Sequence, residues 1–141
     1  MSYPDNCIRG ISDPHCLLEG GTVVSLHLFN FQKSPNNNGW SKESINWMDD
    51  EKALDFTLNQ EKNERLQFKV GAAILPRADI DRINKRHSQT RPLSYERKPI
   101  ENVNPYHGNL LLKDDIGNPE KTMIRVQLAI ACQQPVLRGD K

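Results

Sequence analysis

No glycine-rich phosphate loop, GxSxG elbow, HExxH pair or paired CxxC occurs in this chain. The commonest sequence marks of nucleotide hydrolysis, serine hydrolysis and zinc binding are therefore missing, and no cofactor signature stands in their place. Cysteine is scarce and odd in number: Cys7, Cys16 and Cys132 make three, which argues against a disulfide framework. No run approaches the roughly 20 apolar residues of a membrane helix. The opening Met-Ser-Tyr-Pro-Asp-Asn-Cys lacks the basic and apolar regions of a signal peptide. These absences together predict a reduced, cytoplasmic protein that does not engage membranes.

What is present suits one soluble domain over residues 1–141. A chain of this length buries roughly 68–70 % of its unfolded surface, enough to hold a core without metal or disulfide. Hydrophobic residues make up 36 % and charged residues 26 %, and the excess polarity sits in connections, not throughout. The net charge of +1 conceals an asymmetry. Residues 1–60 hold four basic against eight acidic residues, and residues 61–141 hold fifteen against ten. The densest basic stretch, Arg77 to Lys98, has seven bases and three acids.

The hydrophobic pattern predicts an antiparallel hairpin at mid-chain. Leu54, Phe56 and Leu58 alternate with Asp55, Thr57 and Asn59. After the polar Glu61-Lys62-Asn63-Glu64, Leu66, Phe68 and Val70 alternate with Arg65, Gln67 and Lys69. Thr22–Phe31 reads as a strand ending in an Asn-rich turn, Ser34 to Gly39, and Ser44–Met48 as a short strand. The order of these segments suggests a meander. Val70–Leu75 continues the second hairpin strand into a helix over Ala78–Asn84, started by Pro76 and docked by Ile80 and Ile83. Residues 85–108 read as a long polar connection, which marks a functional loop or a mobile one. A strand at Asn109–Lys113 follows, and the last element reads two ways: Ile124, Val126, Leu128, Ile130 and Cys132 alternate as in a strand, whereas Asn118-Pro119-Glu120 and the Gln-Gln-Pro stop favour a helix over Pro119–Gln133, the reading adopted. The expected fold is α+β: a mostly antiparallel twisted sheet of about five strands with two helices on one face.

Several residues carry possible chemistry. Cys7, His15 and Cys16, with His27 as a fourth ligand, match no zinc spacing, so the thiols read as packing groups and no metal site is expected. His107 precedes a buried strand beside Gly108, a position that suits catalysis or the anchoring of a loop. His27 reads as a buried strand histidine that Arg9 could reach. Arg9, Ser25 and either Glu96 or Glu101 resemble by type the arginine, hydroxyl and acid of ADP-ribosyltransferase-like folds, an analogy only. Arg86, Arg91, Tyr95 and Arg97 in the basic stretch, with Tyr106, suit phosphate contact and base stacking. The three acids and the near-neutral balance instead favour a solvated loop there. Trp40, beside the Asn-rich turn, suits an anchor for a partner protein.

Pro99-Ile100-Glu101-Asn102-Val103-Asn104-Pro105-Tyr106-His107, then Leu110-Leu111-Leu112, then Gln127-Leu128-Ala129, resembles short bacterial proteins with an Asn-Pro-x-His element, a strand and a Leu-Ala helix. The resemblance covers a third of the chain. It implies a bacterial-type origin and a helical last element, and it carries no activity. The functional expectation is a small non-catalytic module that binds a partner, foremost a protein. The alternatives are a nucleotide- or nucleic-acid-directed enzyme using Arg9, His27 and His107, or a nucleic-acid-binding protein using residues 77–98.

Overall fold

A computed structural model describes residues 3–18, 23–33 and 38–138. The chain is α+β, as the patterning predicts. Among the described residues its main sheet has seven strands, every pairing antiparallel, and runs in the order β11-β8-β1-β5-β10-β9 with β4 also paired to β5. The strands are β1 (Asn6–Ile11), β4 (Gln32–Lys33), β5 (Trp40–Trp47), β8 (Gly71–Pro76), β9 (Leu93–Arg97), β10 (His107–Lys113) and β11 (Val136–Leu137). Two small hairpins, β2 (Leu17–Leu18) with β3 (Val23–Val24) and β6 (Glu61–Lys62) with β7 (Arg65–Leu66), stand outside it. The order is not a meander. β1, the first strand, lies in the middle between β5 and β8 because Cys7, Ile8 and Ile11 are apolar on both sides and need cover from both.

One face of the sheet carries the main core. Ile45 and Trp47 of β5 and Leu110 and Leu112 of β10 point to it. The helix α2 (Arg77–Arg86) covers it with Ile80 and Ile83, and α3 (Asn118–Ala131) with Ile124, Leu128 and Ala129. Both helices lie where the sequence places them. α3 begins one residue before its proline, and Gly117, not Asn118, is its cap residue. Trp47 is fully buried and its indole N–H donates to the Glu96 carbonyl at 3.0 Å. Gly108 permits this, since a Cβ there would lie 2.4 Å from the indole nitrogen.

The opposite face is covered over part of its width by α1 (Ala53–Leu58). Here the expected hairpin is overturned: the segment holding Phe56 is helical. Ala53 and Thr57 lie four apart, as do Leu54 and Leu58, so the residues that alternate also satisfy helical spacing. Asn46 of β5 decides between the two. Its amide donates to Thr57 Oγ1 and Gln60 Oε1, both at 2.7 Å, and its carbonyl accepts from Asn104 Nδ2 at 2.8 Å. A helix brings Thr57 and Gln60 to one side of the chain; a strand would set them on opposite faces. What survives of the hairpin is β6–β7, turned by Asn63 and Glu64, both at positive φ. Phe68 is half-buried and its ring fills the space above Gly10.

Two further expectations are corrected. The strand expected from Thr22 to Phe31 is instead β3 followed by a 3₁₀ turn at Leu26–Leu28, which Ser25 caps by accepting from the His27 N–H at 3.1 Å. The 85–108 connection contains β9, whose Leu93 exchanges both backbone bonds with the Asn84 side chain. Thr22 and the Ser34–Asn37 part of the predicted turn lie outside the described residues. Among the described residues no helix is long and apolar enough to cross a membrane.

Candidate functional site

The edge of β5 opposite β10 is shared by two strands. β1 pairs with Asn46 and Trp47, β4 with Ser41 and Lys42. Glu43, between them, points to the core face and forms an ion pair with Arg9 of β1 at 2.5 Å. The same guanidinium donates to the carbonyls of Gly10 at 3.0 Å and Leu28 at 3.3 Å. Glu43 Oε2 is buried with no hydrogen-bond partner among the described residues. Burial pushes this carboxyl above its ordinary range, against the opposing pull of Arg9, the Asn30 N–H and Arg125.

Arg125 of α3 grips the same turn from the other side. Its Nε donates to the Phe29 carbonyl at 2.6 Å and its Nη2 to the Leu26 carbonyl at 3.3 Å. The 26–29 turn is thus held by two arginines from distant parts of the chain. That long-range hold explains why its apolar run does not extend as a strand.

Beside this turn, between β4, β5 and the first turns of α3, lies a cavity of about 340 Å³. Its floor is the buried Ser41 and Leu112, and Phe31 forms one side. Three cations line it: Lys33 from β4, and Lys121 and Arg125 from α3, with the Thr122 hydroxyl and the Asn118 amide among them. The Lys121 ammonium donates to the Asp114 carbonyl oxygen at 2.9 Å. The Asp114 carboxylate is held by the Ser41 hydroxyl. The acid of the first helical turn, Glu120, is turned away. Its Oε2 lies 2.9 Å from His87 Nδ1 and accepts from Thr90 Oγ1 at 3.0 Å. His87 Nε2 lies 3.0 Å from Gln127 Oε1, so both ring nitrogens are occupied and the imidazole staples α2 to α3.

The residues singled out from sequence do not gather at one place. Arg9 and His27 lie at the 26–29 turn, His27 exposed. His107 pairs with Asn46 on the other face, its Nδ1 3.0 Å from the Lys98 carbonyl. Ser25 is buried as a turn cap, Glu96 accepts from Asn109 at 2.9 Å on the far face, and Glu101 is exposed in a turn. The basic stretch divides between α2 and β9. Arg77 pairs with Asp81 at 3.5 Å, Arg82 with Asp79, and Arg97 with Asp49 at 2.6 Å. Arg86 and Arg91 are exposed. The Tyr95 hydroxyl donates to Asp81 at 2.9 Å and its ring packs on Tyr3 and Trp47. The Tyr106 hydroxyl donates to Asp50 at 3.1 Å and its ring packs on Phe56. Trp40 is half-buried on the far face, with Lys113 Nζ 5.9 Å from its ring centroid. Cys7 is buried in the core, and no three or more His, Cys, Asp or Glu side chains converge to hold a metal among the described residues.

Lys33, Lys121, Thr122 and Arg125 were not singled out by sequence. One signal was readable. Lys121 and Arg125 are like charges four apart on a predicted helix, a spacing that costs stability unless an acid or a ligand answers it. Comparison with protein-family models, with curated proteins and with solved structures found no match for this chain.

Proposed function

We propose that this protein is a non-catalytic binding module whose ligand is anionic and sits in the cleft between α3 and β4–β5. The observation that carries this reading is the lining of one cavity by three cations, Lys33, Lys121 and Arg125, which outnumber the one carboxylate bonded to its floor, Asp114 on Ser41. A concave site of this size, with an apolar floor and a few convergent polar groups, is the usual form of a small-molecule site. The positive end of α3 adds to the attraction. A bacterial-type origin and a cytoplasmic location belong to the same proposal.

Titrating isotope-labelled protein with inorganic phosphate at low salt, followed by amide chemical shifts, tests it. Shifts confined to residues 30–33 and 118–125 are expected. Shifts spread evenly over the surface, or none at all, rule the cleft out.

A protein partner is the second reading. It is favoured by Met123 and Ile130, one heptad apart on α3 and 55 % and 74 % exposed. Its simplest form is a second copy of the chain. Concentration-dependent association in sedimentation velocity, lost in Ile130→Lys, is its expected signature, and a monomer at every concentration removes it. Nucleic acid is the weaker alternative, because three of the seven bases in the 77–98 stretch are already in ion pairs.

A further inference from the structure

The cationic cleft continues past Asn30 and Arg125 into a second cavity of about 720 Å³, and these two residues line both. The halves differ in chemistry. The first gathers cations and hydrogen-bond donors. The second is lined by Pro14, Cys16, Leu17 and Leu18, with the imidazoles of His15 and His27. Leu18 is 52 % exposed, an apolar side chain left in water beside the cavity. Asp13 is the acid of this second half. It accepts from the His15 backbone N–H at 2.9 Å, with His15 Nδ1 also 2.9 Å away. Those contacts hold its carboxyl below the usual range, so it stays ionised at neutral pH and repels an anion from this end. Arg125 stands at the junction with Nε and Nη2 committed to carbonyls, and its Nη1 has no partner among the described residues.

We infer that the ligand is a small phosphomonoester with a flat apolar body, its phosphoryl group among Lys33, Lys121 and Arg125 and its body lying over Leu17 and Leu18 toward His27. The inference rests on the cleft being the anion site proposed above. The donors reach the first half from β4 and from α3, with a hydroxyl at Thr122 and an amide at Asn118. A phosphoryl group presents three terminal oxygens to donors arriving from separate directions, whereas a carboxylate offers two in one plane. The second half offers leucine and imidazole surfaces, which suit a ring better than a chain of hydroxyls. Anion and ring are joined across the Asn30–Arg125 junction, where the guanidinium can serve both the phosphoryl group and a ring face.

Calorimetric titration with inorganic phosphate, phenyl phosphate and phenol separates the two parts. Burying the phenyl group contributes about 1.5 kcal/mol or more, so phenyl phosphate binds at least about tenfold tighter than phosphate. Phenol binds far more weakly than either. Leu18→Ser, an uncharged change at an exposed position, cuts the advantage of phenyl phosphate over inorganic phosphate severalfold. Lys121→Ala weakens both about tenfold. Equal affinities for phosphate and phenyl phosphate, or an advantage that Leu18→Ser leaves intact, overturn the joined ligand while the anion cleft stands. Phenol binding as well as phenyl phosphate overturns the role of the phosphoryl group. If neither anion binds to the folded wild type, the cleft reading itself falls.

Discussion

Asn46→Ala is the perturbation that most directly probes how α1 is held to the sheet. The Asn46 side chain is 5 % exposed in residue terms and makes three hydrogen bonds: to Thr57, to Gln60 and from Asn104. Their loss is unequal. Thr57 Oγ1 keeps its bond to the Ala53 carbonyl at 2.8 Å, and Gln60 is half-buried and can turn to water. Asn104 is 3 % exposed and would keep an amide N–H with no acceptor. One such orphaned group costs about 1–3 kcal/mol, and each remaining bond contributes about 1 kcal/mol net. The expected loss is therefore about 3 kcal/mol, a large part of the roughly 5–15 kcal/mol available to a domain. Urea unfolding at unchanged m-value reads it. Asn104→Ala breaks the same bond and the Asn104 Oδ1 contact from the Tyr106 N–H at 3.0 Å. The double variant should cost less than the sum of the singles by about 1 kcal/mol or more. A loss below about 0.5 kcal/mol for Asn46→Ala, or strictly additive singles, would refute the claim that this network fixes α1.

Three other outcomes follow from the packing. Gly10→Ala puts a methyl 2.3 Å from the Phe68 ring, so it should cost about 1–3 kcal/mol, and less in a Phe68→Ala background; an equal cost in both backgrounds would show that the ring is not the obstacle. Glu43 faces Arg9, Arg125 and Cys16, and burial raises its carboxyl pKa on folding. The folded state then holds its proton more tightly, so the wild type should lose stability relative to Glu43→Gln as pH rises through and above the ordinary carboxylate range, a difference absent below it. A wild-type advantage that grows with pH over that window contradicts the shift. The thiols should react in order with a disulfide reagent: Cys16, half-buried, first; Cys132, which burial pushes up to about 12, slowly; Cys7, fully buried and pushed higher still, only on unfolding. Fast labelling of Cys7 in the folded protein would contradict its place in the core.

How much of this was legible in the sequence depends on range. α2 is readable because its signals are local, a proline at the start and isoleucines three apart; α3 is only partly so, since Asn118-Pro119 and the Gln-Gln-Pro stop mark a helix while Ile124, Val126, Leu128 and Ile130 alternate as in a strand. β8 and β10 were readable as short apolar runs bounded by turn residues. α1 was not, because Ala53 to Leu58 satisfies periods of two and of four at once, and Asn46, seven residues upstream of Ala53, breaks the tie. The 26–29 turn has the local pattern of a strand because Arg9 and Arg125, which hold its carbonyls, are remote in sequence. Of the mid-chain hairpin only β6–β7 forms, yet the fold class holds, since β1, β5, β8 and β10 supply the sheet. The cleft was invisible for the same reason as the turn. Lys33 and Lys121 meet only because β4 pairs with β5 and α3 crosses that end of the sheet.

The most direct test of the anion cleft is the melting temperature of the full chain with and without inorganic phosphate, in the wild type and in a Lys33→Gln, Lys121→Gln variant. A ligand at about ten times its Kd stabilises the folded state by about 1.4 kcal/mol, a rise of about 3–5 °C for a chain of this size. The cleft predicts that rise in the wild type and its loss in the variant, each read against the same protein without phosphate. Equal rises in both proteins, or no rise in the wild type up to high phosphate, would contradict it.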